Sequence, residues 1–260
     1  MVKYAIIGVE GPQDQAFVSK VLQLLGFKKF RGEESKLDDF WRPLFITKLK
    51  NTKPKKENLY ETPNLPSVLF KDSISVAVYS GRGTSLPKNL EAELIAHSQY
   101  RTGIAAFGIV ADTDDKAVNS VVQRYYDRFR NYFPNFPNTP GIVDKNMPRT
   151  GIYVLPDNAS PGVLDTLICQ CGEVVYPEYI ERAKSYLELF SQEETEGEPL
   201  KWKPFDREKA LVATVVSVLK PGSSNTASIA NDDWVSDKSQ NEVEALGSFV
   251  KFLRQLLEDS

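Results

Sequence analysis

The chain has 260 residues, with 32 Lys and Arg against 35 Asp and Glu and a formal net charge of −3. That balance argues against a protein that coats duplex DNA by charge alone, and no apolar stretch approaches the roughly 20 residues that span a bilayer. The 41% hydrophobic and 26% charged composition is that of a globular chain able to bury a full core.

Met1-Val2-Lys3 runs straight into a strand pattern without a signal-peptide layout, so the expected location is the cytoplasm, with no membrane partner. Residues 3–9 are a compact apolar run that stops on Glu10-Gly11-Pro12. Ala16, Phe17, Val21, Leu24 and Leu25 then recur at helical spacing, and Gly26 closes a strand–turn–helix unit. Residues 28–66 carry many charges and several prolines and are read as an insertion. Its lysines (Lys48, Lys50, Lys53, Lys55 and Lys56) form a solvated loop or a phosphate-attracting patch.

Ser67–Phe70 and Ile74–Tyr79 predict strands, the second ending in Ser80-Gly81-Arg82-Gly83-Thr84, and a helix follows over Leu86–His97. Ile104–Ala111 is almost uninterrupted in apolar character, as a central parallel strand covered on both faces should be. It ends on Asp112-Thr113-Asp114, and Lys116–Tyr132 reads as a helix with Val118, Val121, Val122, Tyr125, Tyr126 and Phe129 on one face. Gly151–Leu155 is one more strand. Beyond about residue 160 the pattern turns helical, over Gly162–Cys171, Pro177–Phe190, Asp206–Leu219 and Glu242–Leu257. An acidic stretch (Glu193, Glu194, Glu196 and Glu198) and a polar segment, Pro221–Gln240, read as loops. The fold class is α/β: a doubly wound parallel sheet flanked by helices in residues 1–155, with a mainly helical C-terminal region, 156–260, packed on it.

In an open parallel sheet, ligands sit outside the carboxyl ends of the strands. Glu10 and the Asp112/Asp114 pair both fall at that edge, so the sequence predicts that they meet there. Clustered carboxylates repel one another unless a cation lies among them. With His97 as the one histidine, any metal is held by oxygen, which suits Mg²⁺ or Mn²⁺. The bland alternatives are that Asp112 or Asp114 caps the following helix and that Glu10 sits in a turn. Asp165 is a fourth candidate carboxylate, with helix capping as its alternative. Gly81, Arg82, Gly83, Lys88 and Lys116 are candidates for phosphate contact, although a tight turn explains the glycines and solvent the lysine. Cys169 and Cys171, one residue apart, read as ordinary buried thiols of a reducing compartment.

Together these motifs resemble a Toprim (topoisomerase–primase) domain of Rossmann-like architecture. Glu10, Gly11 and Asp14 match its Glu-Gly-x-x-Asp signature, and Asp112 and Asp114 its Asp-x-Asp signature. Gly81 and Gly83 match its glycine-bearing turn, and the likeness covers roughly residues 1–155. The whole chain is similar to stand-alone prokaryotic Toprim-like proteins of unassigned role, with Pro161-Gly162-Val163-Leu164-Asp165 and Trp234-x-x-Asp237 as further matching features. The resemblance implies a glutamate acting as acid/base or metal ligand, two aspartates holding Mg²⁺, and phosphoryl transfer, most simply as a nuclease on nucleic acid. It equally accommodates a non-catalytic Toprim module in a defence or repair assembly, bound to a protein partner or to further copies of itself. A haloacid-dehalogenase-like phosphatase ranks below both. It places its Asp-x-Asp on the first strand and a threonine or valine where this chain has Lys116, and it leaves Glu10 unexplained.

Overall fold

The structure is a computed structural model and describes residues 2–49 and 65–258. Lys50, Lys53, Lys55 and Lys56 of the expected lysine patch fall outside that range. Seven strands form one sheet: β1 (Lys3–Val9), β2 (Lys28–Lys29), β3 (Ser67–Lys71), β4 (Ile74–Ser80), β5 (Ile104–Asp112), β6 (Val143–Asp144) and β7 (Arg149–Leu155). Their order is β2-β3-β4-β1-β5-β7-β6. The inner four, β4-β1-β5-β7, run parallel, whereas β2, β3 and β6 pair antiparallel at the two edges. The sheet is therefore mixed at its margins, because β3 and β4 are joined by a short hairpin turn rather than by a helical crossover.

Side chains alternate between the two faces, and each face has its own core. One face buries Ala5, Ile7 and Val9 of β1 with Ala106 and Val110 of β5 and Tyr153 and Leu155 of β7. The other buries Ile6 of β1 with Phe107, Ile109 and Ala111 of β5 and Ile152 and Val154 of β7. Coverage on both sides is why β5 can be apolar at nearly every position.

Onto the first face pack α1 (Pro12–Leu24), through Phe17, Val18, Val21 and Leu22, and α12 (Glu244–Leu257), and the same core extends through the C-terminal helices α6 (Leu164–Val175), α7 (Pro177–Leu187), α9 (Asp206–Leu219) and α10 (Asn225–Asn231). Each fully buried Leu, Val or Phe contributes about 1.5–3 kcal/mol, so this face depends on residues from both ends of the chain. Leu256 lies so close over Gly108 that a Cβ there would come within 2.6 Å of it. The second face is covered by α2 (Arg42–Leu49), α3 (Leu86–Ala96), α4 (Gln99–Thr102) and α5 (Val118–Phe129).

Three departures from the sequence reading are local. The start of the expected insertion is core: Trp41, Leu44 and Phe45 are buried, and Trp41 Nε1 donates to Ser75 Oγ at 2.9 Å. The polar segment 221–240 holds α10 and the short α11 (Asp237–Glu242), each begun by a serine hydroxyl that accepts a backbone N–H, Ser224 from Ala227 and Ser236 from Ser239. The acidic stretch forms a single turn, α8 (Gln192–Glu196), capped in the same way by Ser191. Cys169 and Cys171 are buried free thiols. Among the described residues, no helix is long and apolar enough to cross a membrane.

Candidate functional site

Strand register sets the site. Val9 pairs with Val110 on one side and Ser80 on the other, so Glu10 emerges at the same level as the end of β5. Asp112 is the last residue of β5, opposite Leu155 of β7. Two helix N-termini meet at this edge, since Gln13 in the first turn of α1 donates to Asp165 in the first turn of α6 at 2.8 Å. Partial positive charge from both helix ends favours anions there.

The period of two separates the carboxylates. Glu10 continues the parity of Ile6 and leaves β1 toward α5, whereas Asp112 continues that of Val110 and leaves β5 toward α6. On its side Glu10 Oε1 accepts from Tyr125 Oη at 2.9 Å and from Arg124 at 3.2 Å. Burial still pushes the Glu10 carboxyl above its ordinary range; Tyr125 and Arg124 pull against that rise, and Asp114 adds to it.

On the other side Asp112 accepts from the Leu164 N–H at 3.0 Å, so it caps α6 from across the sheet. Neither Asp112 nor Asp114 caps the helix that follows them, which begins after Ala117 without a side-chain cap. Burial raises the Asp112 carboxyl well above the usual carboxylate range, and repulsion from Asp14, Glu10 and Asp114 raises it further. Asp14 is buried beneath the edge, where it accepts from the Gly11 N–H at 2.6 Å. Its pKa is pushed up to about 7, first by burial and then by Glu10 and Asp165.

Asp114 is the outermost member. Its side chain is half-exposed and 3.9 Å from Lys116 Nζ, and its backbone is left-handed at φ 51°. Aspartate adopts that conformation more readily than most residues, and such strain is often kept at functional positions. The turn is held from below. Thr113, fully buried, donates to the Gly162 carbonyl at 2.8 Å and accepts from the Gly162 N–H at 2.6 Å. The Asp114 N–H also donates to that carbonyl, at 3.0 Å. A Cβ on Gly162 would come within 2.9 Å of Pro156, so this contact requires glycine.

The remaining candidates divide. Asp165 is buried and bound to Gln13; burial raises its carboxyl, and Gln13 and Lys209 lower it. Arg82, Lys88 and Lys116 are exposed. Gly81 and Gly83 instead donate their N–H groups to the Val9 and Glu10 carbonyls at 2.9 and 2.7 Å. That turn fixes the end of β1 and leaves those two donors unavailable to an anion. A Cβ on Gly81 would lie 2.4 Å from Leu86 Cα. Trp234 is core, with Nε1 donating to Ser228 at 2.9 Å.

Sequence reasoning missed Arg124 and Tyr125, the partners of Glu10. Tyr125 reads as one more apolar position on the helix stripe, and nothing in its spacing marks the hydroxyl. It also left Asp14 as a motif match without a role.

A divalent cation suits the chemistry of this donor set, which is all oxygen, anionic, and at Asp14 and Asp112 buried without a cationic hydrogen-bond partner. Among the described residues, however, no three His, Cys, Asp or Glu side chains form a ready ligand cluster. The opposed parity of Glu10 and Asp112 keeps those two carboxylates on different faces. Mg²⁺ commonly takes one or two carboxylates, with water and substrate phosphate as the remaining ligands, and Asp112 with Asp114 meets that description.

No curated protein matches the chain. Its fold is similar to the crystal structure of a hypothetical protein from Pyrococcus horikoshii OT3, at 15% identity and a TM-score of 0.50, covering 98% of this chain and 95% of that one. A family model matches residues 4–258, and the chain thereby belongs to the family described as "Protein of unknown function (DUF3226)".

Proposed function

We propose that the protein is a Mg²⁺- or Mn²⁺-dependent phosphoryl-transfer protein of Toprim type, acting as a nuclease on nucleic acid in the cytoplasm. The observation that carries this reading is the placement of Glu10, Asp14, Asp112 and Asp114 at the carboxyl edge of neighbouring parallel strands, where burial and repulsion raise the carboxyls of Glu10, Asp14 and Asp112. Uncompensated buried carboxylates are costly, and such costs are characteristic of sites that bind or react. The buried free thiols agree with a reducing compartment.

In this reading Asp112 and Asp114 hold the ion, which would neutralise charge on the transferring phosphoryl group. Glu10, its proton affinity raised by burial and checked by Tyr125 and Arg124, exchanges a proton with the attacking or leaving oxygen. Arg124, half-exposed beside it, offers a guanidinium to a phosphate oxygen. Asp14 orients the Gly11 turn rather than reacting.

The test is single-turnover cleavage of labelled DNA and RNA with Mg²⁺ or Mn²⁺. Cleavage that drops at least a hundredfold in Glu10→Gln and Asp112→Asn is expected from the size of general acid–base effects. Absence of wild-type cleavage, or equal rates in the variants, refutes the reading.

One observation favours a second reading, a non-catalytic Toprim module in an assembly with a protein partner or with copies of itself. Glu10 is already engaged by Arg124 and Tyr125 and faces away from Asp112. Calorimetry separates the two: a magnesium affinity in the micromolar range that Asp112→Asn abolishes counts against the scaffold.

A further inference from the structure

The acidic edge supplies chemistry but little that would hold a polynucleotide, and the chain's overall charge does not help. A cleft between α8 and the start of α9 has a different character. It encloses about 420 Å³ and is lined by Phe190, Trp202, Lys203, Phe205, Arg207 and Glu196 among others, a size typical of small-ligand sites, which run from about 300 to 1,000 Å³.

Its aromatic walls are partly exposed. Trp202 and Phe205 are only partly buried, and among the described residues neither ring is in contact with another aromatic ring. By contrast Trp41 and Trp234 are fully buried. Phe205 sits at φ 66°, a left-handed backbone that a bulky residue seldom adopts. Among the described residues neither Lys203 nor Arg207 is in an ion pair, while Glu196 is occupied by Gln192 at 2.6 Å. Trp202 rests partly on the core of the first face, and Lys203 lies within electrostatic reach of Asp206; the cleft combines two partly exposed rings with two cations that are in no ion pair among the described residues.

Arg207 also lines a neighbouring cavity of about 350 Å³ whose wall includes Thr166, the residue after Asp165. Lys209, two residues further on in α9, feels the acidic edge directly. Burial works against its charge, yet the Asp206 hydrogen bond and the nearby Asp165 and Asp114 keep its pKa above the ordinary lysine value. The first turn of α9 thus leads from the aromatic cleft toward the carboxylates.

We infer that this cleft binds a nucleobase of single-stranded nucleic acid, stacked on Trp202 and Phe205, with the adjoining phosphates on Lys203 and Arg207. Bases of any identity stack on aromatic side chains, and guanidinium pairs well with phosphate. The inference extends the nucleic-acid reading above by giving the substrate a single-stranded segment and a place to lie.

The test uses the full chain without divalent metal, in EDTA, and a dye-labelled oligothymidylate read by fluorescence anisotropy. Trp202→Ala should weaken binding at least fivefold. Arg207→Gln should weaken it and lower the slope of log affinity against log salt by about one. Since Trp202 is the partly exposed tryptophan of three, unlabelled oligothymidylate should quench the wild-type emission. If Trp202→Ala fails to fold by circular dichroism, Trp202→Phe, which keeps a stacking ring, must bind like wild type while Arg207→Gln does not. No binding by wild type, equal binding by Trp202→Ala or Arg207→Gln, or displacement of the oligonucleotide by polyglutamate at equal charge overturns the inference. The last result would assign the cleft to an acidic protein partner. Cleavage is read in parallel with Mg²⁺, so normal wild-type binding without cleavage refutes the nuclease reading and leaves this one standing.

Discussion

Asp14 makes the site's electrostatics measurable without knowing the substrate. Its carboxyl is pushed from 3.8 to about 7 in the folded chain. The folded protein thus holds a proton that the unfolded chain gives up, and unfolding releases protons between those two values. The contribution of Asp14 to stability is full below about pH 4 and is lost as pH rises to about 7, by roughly 4 kcal/mol for a shift of about three units at about 1.4 kcal/mol each. Asn is nearly isosteric, and its carbonyl can still accept from Gly11. Asp14→Asn should therefore be about as stable as wild type at pH 4 and more stable at pH 8, by up to about 4 kcal/mol. Urea denaturation in EDTA at pH 4, 6 and 8 measures this directly. A variant whose advantage does not grow between pH 4 and pH 8 would show that Asp14 is not held protonated by its surroundings, and the account of the acidic edge would fail with it.

Tyr125→Phe removes the hydroxyl that donates to Glu10 at 2.9 Å and should cost about 1.5–3 kcal/mol near pH 8. Thermal melts decide it, and an unchanged midpoint would mean that Arg124 alone holds Glu10. Gly81→Ala places a methyl 2.4 Å from Leu86 Cα and should destabilise by about 1–3 kcal/mol or more; a neutral result in urea denaturation would mean that the turn can shift. Leu256→Ala, at a fully buried position over β5, should cost about 2–5 kcal/mol, and a loss below 1 kcal/mol would argue that α12 is only loosely docked.

How much of this was legible beforehand follows from particular residues. The apolar run of β5 and its Asp-x-Asp ending were readable because a strand buried on both faces leaves no polar position until it stops. Asp206–Leu219 was readable from end to end because its apolar period runs unbroken between an acidic start and Lys220-Pro221. The small helices α10 and α11 were not, since seven and six residues are too few for a period to emerge from polar composition. Their serine caps at Ser224 and Ser236 were the available signal. The meeting of Glu10 with Asp112 was expected from their position along the strands, but alternation decides the face. Counting outward from Ile6 and Val110 places the two carboxylates on opposite sides. The α5 pair that engages Glu10 was invisible because helical spacing marks Tyr125 as core and says nothing of where its hydroxyl points.

The placement of β1 has a consequence in time. It comes before every other described strand of the sheet, yet it lies in the middle and pairs on both sides with strands that follow long afterwards in the chain. The apolar face above it is finished only by Phe249, Leu253 and Leu256, close to the last described residue. Such long-range closure makes folding slow, and a chain emerging from the ribosome keeps this face of the sheet unsealed until α12 arrives.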